Sequence, residues 1–420
     1  MTSILFRKNK QLWVEQVSLQ QVAESFETPF YIYSMDAIKN NFNTYKAALS
    51  GQKHLICYSV KANSNIAVLQ TLARLGSGFD IVSLGELERV LMAGGDPKKI
   101  VFSGVGKSRL EMRRALEVGI YCFNIESEAE LSLLNKISAD MRMAAPISIR
   151  VNPDIDVKTH PYIATGLKES KFGIDALRAE EIYLQAAKME HVRIIGIDCH
   201  IGSQLTEITP FENALNCLIA LIKDLKRHGI ILEHIDLGGG LGVRYRDETP
   251  PSIKAFTQKL TQLVKERKET LIFEPGRSII ANAGFLVTRV QFLKCNGSKR
   301  FAICDAAMND MLRPSLYGSF MDIQPIYLRQ NEPTHFYDIV GPICETGDFL
   351  GYGRELSILP GDLLCVCDAG AYSFSMSSNY NSRPRAPELM VSGKDVHVIR
   401  QRETIKDIVR GEHLISKMEQ

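Results

Sequence analysis

The chain has 420 residues, 45% of them apolar, enough to bury an ordinary core and to divide into one large and one smaller domain. Its 50 basic residues nearly cancel its 48 acidic ones, leaving a net charge of +2, so there is no electrostatic case for a nucleic acid or an anionic membrane as partner. No run approaches the ~20 apolar residues that span a bilayer, the leading MTSILFRKNKQLWVEQ lacks a signal-peptide cleavage site, and nine scattered cysteines form neither a zinc pattern nor a disulfide framework.

A small diffusible ligand and a reducing, cytoplasmic setting are therefore expected, with no metal. Along the chain, QLWVEQVSL is the first strand pattern. From about residue 54 to about residue 280, short β-branched runs alternate with longer segments of helical period. The strand candidates are HLICYSV, GFDIVS, KIVFSG, YCFNIE, ISIRVNP, IIGIDCHIG, HIDLGGG and LIFEPG, eight in all. Amphipathic stretches such as NIAVLQTLARL, RLEMRRALEVG and FENALNCLIALIKDLKRHG lie between them. Eight such units predict an α/β fold, a closed (β/α)8 barrel of about 250 residues. A doubly wound sheet is the alternative, but no second nucleotide-binding half is present.

After Arg277 the strand patterns crowd together (FLVTRVQFLK, RFAICDA, THFYDIVGPI, DLLCVCDAG, DVHVIRQR), which predicts a mostly β C-terminal domain. The expected division is a barrel over residues 30–280 and a β-rich domain built from residues 1–29 and 281–420. Cys365 and Cys367, in the apolar run LLCVCD, read as strand core.

In a parallel barrel the chemistry sits at the C-terminal ends of the strands. The first strand ends in YSVKAN, placing Lys61 there, where a desolvated amine can act as a nucleophile. IIGIDCHIGSQ puts His200 and Ser203 on the same rim; an imidazole can stack on a flat ring and a hydroxyl can bind phosphate. HIDLGGGLGV sets Gly238, Gly239 and Gly240 after the seventh strand, where backbone N–H groups can approach a phosphate. Val243 breaks the G-x-G-x-x-G dinucleotide spacing. The eighth strand ends in EPGR: Glu274 can hold a pyridine nitrogen protonated, and Gly276 and Arg277 stand beside it at the mouth, where the arginine can clamp a carboxylate or the cofactor phosphate. Taken alone, these are a solvated lysine, a structural histidine, a tight turn and a surface ion pair. Together on one rim they are the parts that pyridoxal 5'-phosphate (PLP) requires.

Over nearly its whole length the sequence resembles the fold type III, alanine racemase-like PLP enzymes, and among them the diaminopimelate decarboxylases. The resemblance rests on YSVKANSN, GFDIVSLGEL, SKFGI, CHIGSQ, IDLGGGLG, FEPGRSI, MNDMLRPSLYG, GPICETGD and GAYSFSMSSNYNSRPRAPELMV. It departs at Ser59, where alanine is usual, at Thr346, and at RAPE for R-P-A-E, positions read as remote from the assigned residues. The resemblance implies that Lys61 carries PLP covalently and His200 stacks on its ring. Ser203, the Gly238–Gly240 backbone and Gly276 hold the phosphate, Glu274 faces the ring nitrogen, and Tyr372 also reaches the cofactor. Arg277, Arg313, Tyr317, Glu345 and Tyr372 match substrate-binding positions and Cys344 the proton donor. Cys344 and Glu345 would be supplied by a neighbouring subunit, making a homodimer with shared sites.

The reaction so implied is decarboxylation of meso-diaminopimelate to L-lysine and CO2, the last step of lysine biosynthesis. Charge agrees: the far end of that substrate carries both an ammonium and a carboxylate, suiting Glu345 and the two arginines. A racemase on this scaffold places arginine at the ring nitrogen, which EPGR argues against. A non-catalytic PLP-binding barrel lacks the β domain, and a sugar-phosphate barrel leaves the YSVKAN and EPGR pairing unexplained.

Overall fold

The structure is a computed structural model that describes residues 4–155, 170–329 and 332–415. Two compact units divide it, residues 35–282 and residues 1–34 with 283–420.

The first unit is a closed barrel of eight parallel strands: β1 (His54–Ser59), β2 (Gly78–Ile81), β3 (Ile100–Phe102), β4 (Cys122–Ile125), β5 (Ala145–Asn152), β6 (Val192–Asp198), β7 (His234–Asp236) and β8 (Thr270–Phe273). Each strand pairs with the next, and β8 returns to β1 through Leu271–His54, Ile272–Leu55 and Phe273–Ile56. All eight predicted strands are present in the predicted order. Their brevity and near-complete burial follow from the architecture: a parallel strand covered by helices outside and packed inside has no solvent face, so it reads as a short continuous apolar run.

Helices fill the connections, among them Ile66–Arg74, Leu84–Met92, Arg109–Val118, Glu128–Asp140, Ala176–Ala186 and Thr209–Arg227. Their starts are legible as caps. Asn65, Ser83, Ser108, Ser127 and Asp175 each accept a hydrogen bond from a backbone N–H of the first turn, and Ser108 with Glu111 closes a capping box. The longest helices that escaped the sequence reading are Met35–Ala48 and Ile253–Leu263.

The second unit is mostly β. Its main sheet runs Phe349–Leu356, His335–Val340, Lys299–Cys304, Gly284–Asn296, Phe30–Ser34, Glu388–Ser392 and Asp395–Arg400, with Leu363–Val366 also pairing to Gly284–Asn296. Leu5–Lys8, Gln11–Val14 and Val17–Ser18 form a small three-stranded sheet. Phe30–Ser34 is central, antiparallel to Gly284–Asn296 and parallel to Glu388–Ser392. Every residue of it is buried; Phe30 and Ile32 join a core with Leu12, Val14, Val287 and Leu389, and Tyr31 and Tyr33 donate to the Asp310 carbonyl and Glu388. Cys365 and Cys367 lie in that same core, as their apolar context predicted.

Candidate active site

A β-strand alternates its side chains with period two. Cys57, Val101, Cys122, Ile195 and Ile272 pack together as an apolar layer of the barrel. Two residues after four of these come Ser59, Ser103, Asn124 and Glu274, all buried. Asp80, Ser148, Asp198 and Asp236, also buried, bring further polar side chains to this end of the strands. A polar layer therefore lies above an apolar one at the end of the barrel where such folds carry their chemistry.

Lys61 sits in the short 3₁₀ turn Val60–Ala62 directly after β1, and its Nζ is 2.6 Å from Asp80 Oδ2. Tyr58 steadies the turn by donating to the Asn63 carbonyl at 3.1 Å. Asp80, the buried aspartate of β2, is thus the direct ionic partner of Lys61. Ser59 is not remote from the assigned residues, as its reading implied. Its Oγ lies 2.9 Å from Asp80 Oδ2 and 3.0 Å from the Glu274 carbonyl oxygen, because it follows Cys57 on the inward parity.

His200 and the glycine run meet. The Gly239 N–H donates to His200 Nδ1 at 3.1 Å, and burial, aided by the charges of Arg150 and Lys61, holds the imidazole pKa well below its ordinary value. The ring is accordingly neutral, with Nδ1 an acceptor. Gln204 clamps the glycine loop from the neighbouring strand end, donating to the Val243 carbonyl at 2.6 Å and accepting its N–H at 3.1 Å. The glycines are required: a Cβ at Gly239 would stand 2.3 Å from the Glu274 carbonyl, and Gly240 has φ +108° with the Gly202 carbonyl 2.4 Å from where its Cβ would be.

Gly276 precedes the short helix Arg277–Ile280. Arg277 donates to Ser203 Oγ at 3.1 Å and to the Tyr245 hydroxyl at 2.8 Å. Glu274 is buried, and its Oε1 has no hydrogen-bond partner among the described residues. An orphan carboxylate oxygen of this kind demands a donor, and a protonated pyridine nitrogen is one. With a lysine amine, a neutral imidazole and a cradle open only to glycine on the same barrel end, the residues fit PLP.

The sequence reading missed the support behind this set. Glu126 accepts from Arg150 Nη1 at 2.8 Å, from the Gly104 N–H at 2.9 Å and from the Gly173 N–H at 2.8 Å, tying together the ends of β3, β4 and β5. Arg150 Nε also stands 4.0 Å from Asp198. The signal available was a polar residue at the inward parity of an apolar run. Replacing Arg150 by methionine removes the cation paired to the buried Glu126, so the unfolding free energy measured in urea falls by ~3–5 kcal/mol.

In the β unit, Arg313 is buried at the start of the helix Arg313–Tyr317, and Tyr317 ends it partly buried. Cys344 and Glu345 are exposed on a loop held from beneath by Asp348. Its carboxylate accepts the Met308 N–H at 2.7 Å and the Ile343 N–H at 2.8 Å, while the Cys344 N–H donates to Asn381 at 2.9 Å. Tyr372 has φ +55°, a left-handed backbone that an aromatic residue seldom adopts and that functional positions often retain.

Residues 35–281 match the family model described as "Pyridoxal-dependent decarboxylase, pyridoxal binding domain". The chain therefore belongs to the pyridoxal-dependent decarboxylases, and within them to the diaminopimelate decarboxylase family. A diaminopimelate decarboxylase of Pseudomonas aeruginosa is 55% identical over 97% of this chain and 98% of its own. Among solved structures, the diaminopimelate decarboxylase of Helicobacter pylori complexed with L-lysine is 44% identical, with a TM-score of 0.90 over 93% of this chain and 98% of that one. That of M. jannaschii in co-complex with L-lysine is 36% identical, with a TM-score of 0.93 over 98% of each.

Proposed function

We propose that this chain is a PLP-dependent carboxy-lyase that converts meso-diaminopimelate to L-lysine and CO2, closing lysine biosynthesis. The observation that carries the reading is the barrel end itself, where the Lys61 amine, paired to Asp80, and the partnerless Glu274 oxygen accompany the glycine cradle. When bound, PLP supplies an electron sink for the bond broken at the α-carbon.

The chain's own residues do the rest. Asp80 orients the Lys61 amine at the barrel end, where that amine would hold the cofactor. Glu274 offers its buried oxygen to the ring nitrogen, and His200 presents an uncharged face to the ring. Ser203 and the Gly238–Gly240 and Gly276 backbone bind the phosphate. Arg277 and Arg313 take the distal carboxylate of the substrate, Tyr317 and Tyr372 flank it, and Glu345 takes the distal ammonium. Cys344 returns a proton to the α-carbon after CO2 departs.

Cys344 and Glu345 are exposed on their own unit, which supports a homodimer in which each chain completes the other's site. The cysteines found unpaired include all nine of the chain, in keeping with a cytoplasmic home. No described helix is long and apolar enough to cross a membrane.

The test is an assay of CO2 and lysine release from meso-diaminopimelate beside lysine and ornithine. Turnover of the zwitterionic substrate alone supports the assignment; equal efficiency on lysine or ornithine defeats the charge argument. Cys344→Ala is expected to slow turnover by ~10²-fold, the lower range for a lost general acid, and unchanged kcat with clean product would remove Cys344 from the chemistry.

A further inference from the structure

Deep in the barrel, oxygens of Asp198, Asp236 and Glu274 lie within 4.8 Å of one another. Three carboxylates at this separation cannot all be ionised out of water. The cations facing them are already engaged: Lys61 with Asp80 at 2.6 Å, and Arg150 with Glu126 at 2.8 Å and Asp198 at 4.0 Å. Asp236 and Glu274 are left without an ion pair among the described residues. Asp236 Oδ2 and Glu274 Oε1 are both buried and accept no hydrogen bond from a described residue.

We propose that Asp236 and Glu274 share one buried proton, held on Glu274 before the cofactor arrives, and that Asp236 is a positioning residue which loads Glu274 to protonate the PLP ring nitrogen. The inference rests on the PLP reading above. The placement of the proton follows from the local donors. Asp236 Oδ1 accepts the Gly238 N–H at 2.9 Å, which favours the charged form of Asp236, whereas Glu274 Oε1 has no such donor. Burial, then the neighbouring Asp236, Asp80 and Asp198, push the Glu274 carboxyl well up; burial raises Asp236 as well, to about 7, opposed by the Gly238 N–H. Facing the pair are Asp80 from β2, Asn124 from β4, Arg150 from β5, Asp198 from β6 and Lys61, with the buried thiols of Cys57, Cys122 and Cys199.

The step balances within the site. As the ring nitrogen settles against Glu274, the carboxyl O–H bond breaks and the N–H bond forms; Glu274 and Asp236 are then both anionic beside one ring cation, and the net charge is unchanged. Asp236 thereby links two halves of the cofactor site, since the same carboxylate anchors the glycine cradle through Gly238. It also makes loading of the ring independent of a proton from solvent.

The test is calorimetric titration of PLP into the cofactor-free full chain in buffers of different ionisation enthalpy, which counts protons exchanged on binding. In Asp236→Asn the new amide donates to Glu274 and ionises it in advance, so PLP binding takes up about one more proton per site than in the parent, the one proton the pair had held. Equal uptake by both proteins overturns the proposal. Infrared difference spectra of the parent on adding PLP decide the matter even if the variant does not fold. Loss of a protonated-carboxyl C=O band is expected, and a spectrum without that loss overturns the shared proton while leaving PLP binding intact. A parent that develops no Lys61-dependent visible band overturns the cofactor reading and this inference together.

Discussion

Lys61→Ala is expected to lower turnover of meso-diaminopimelate by more than ~10³-fold, the scale on which removal of an activated nucleophile slows an enzyme. The side chain stands 2.6 Å from the buried Asp80, and alanine leaves that carboxylate with Ser59 as its hydrogen-bond partner among the described residues. The visible absorbance band of the bound cofactor should vanish with the activity. Because Cys344 and Glu345 are proposed to serve the neighbouring chain, mixing inactive Lys61→Ala with impaired Cys344→Ala should restore activity that neither shows alone. In such a mixed dimer, one of the two sites receives an intact Lys61 from one chain and an intact Cys344 from the other. Retention of the band in Lys61→Ala would remove the lysine from the chemistry. Failure to complement, with dimers verified by mass, would place both residues in a site made by one chain.

Glu274→Gln should lower kcat by ~10²–10³-fold, as when one preorganised stabilising group is removed from a developing charge, with a much smaller change in KM. Glutamine fills the same buried volume but cannot carry the negative charge that keeps a ring nitrogen protonated. The carboxyl is buried and its Oε1 lacks a partner, so the substitution breaks no described hydrogen bond at that oxygen, and thermal stability should hold or rise as a crowded carboxylate is removed. A variant with parental kcat would show that Glu274 is not the partner of the ring. Equal losses in kcat and stability would point to a structural role.

Much of the barrel was legible because its local signals agree with its tertiary needs. The eight apolar runs correspond to the eight strands, and six of the helices that follow them start at a Ser, Asn or Asp cap, whereas Thr209–Arg227 follows Ile208 and Arg277–Ile280 follows Gly276. The missed elements have specific causes. Ile253–Leu263 places the polar Thr257 on its buried face between Phe256 and Leu260, which thins the apolar stripe a sequence shows, while Met35–Ala48 follows a strand that the reading had not separated from the barrel. Phe30–Ser34 was overlooked as a strand of the β unit because its partners, Gly284–Asn296 and Glu388–Ser392, are more than 200 residues away in the chain. Nothing in FYIYS itself says which sheet it will join.

The site divides along the same line. Lys61, His200, Ser203, the glycine run, Glu274 and Arg277 could be named from the sequence because each directly follows an apolar run, and strand ends in a parallel barrel converge. Their chemistry is carried by residue type and by position along one strand, which are local properties. Asp80 as the partner of Lys61, Ser59 against Asp80 and Glu274, the Glu126–Arg150 tie and the Asp198–Asp236–Glu274 cluster could not be read that way. Those contacts join neighbouring strands of the closed sheet that lie far apart in the sequence, and their energetics depend on how completely water is excluded. The sequence by itself determined which side chains stand at the strand ends and hence the class of cofactor they can hold. Only the tertiary structure decided which buried charges face one another, because pairing the strands into a closed sheet brings residues remote in sequence to separations from 2.6 Å to within 4.8 Å and strips the solvent that would otherwise have screened them.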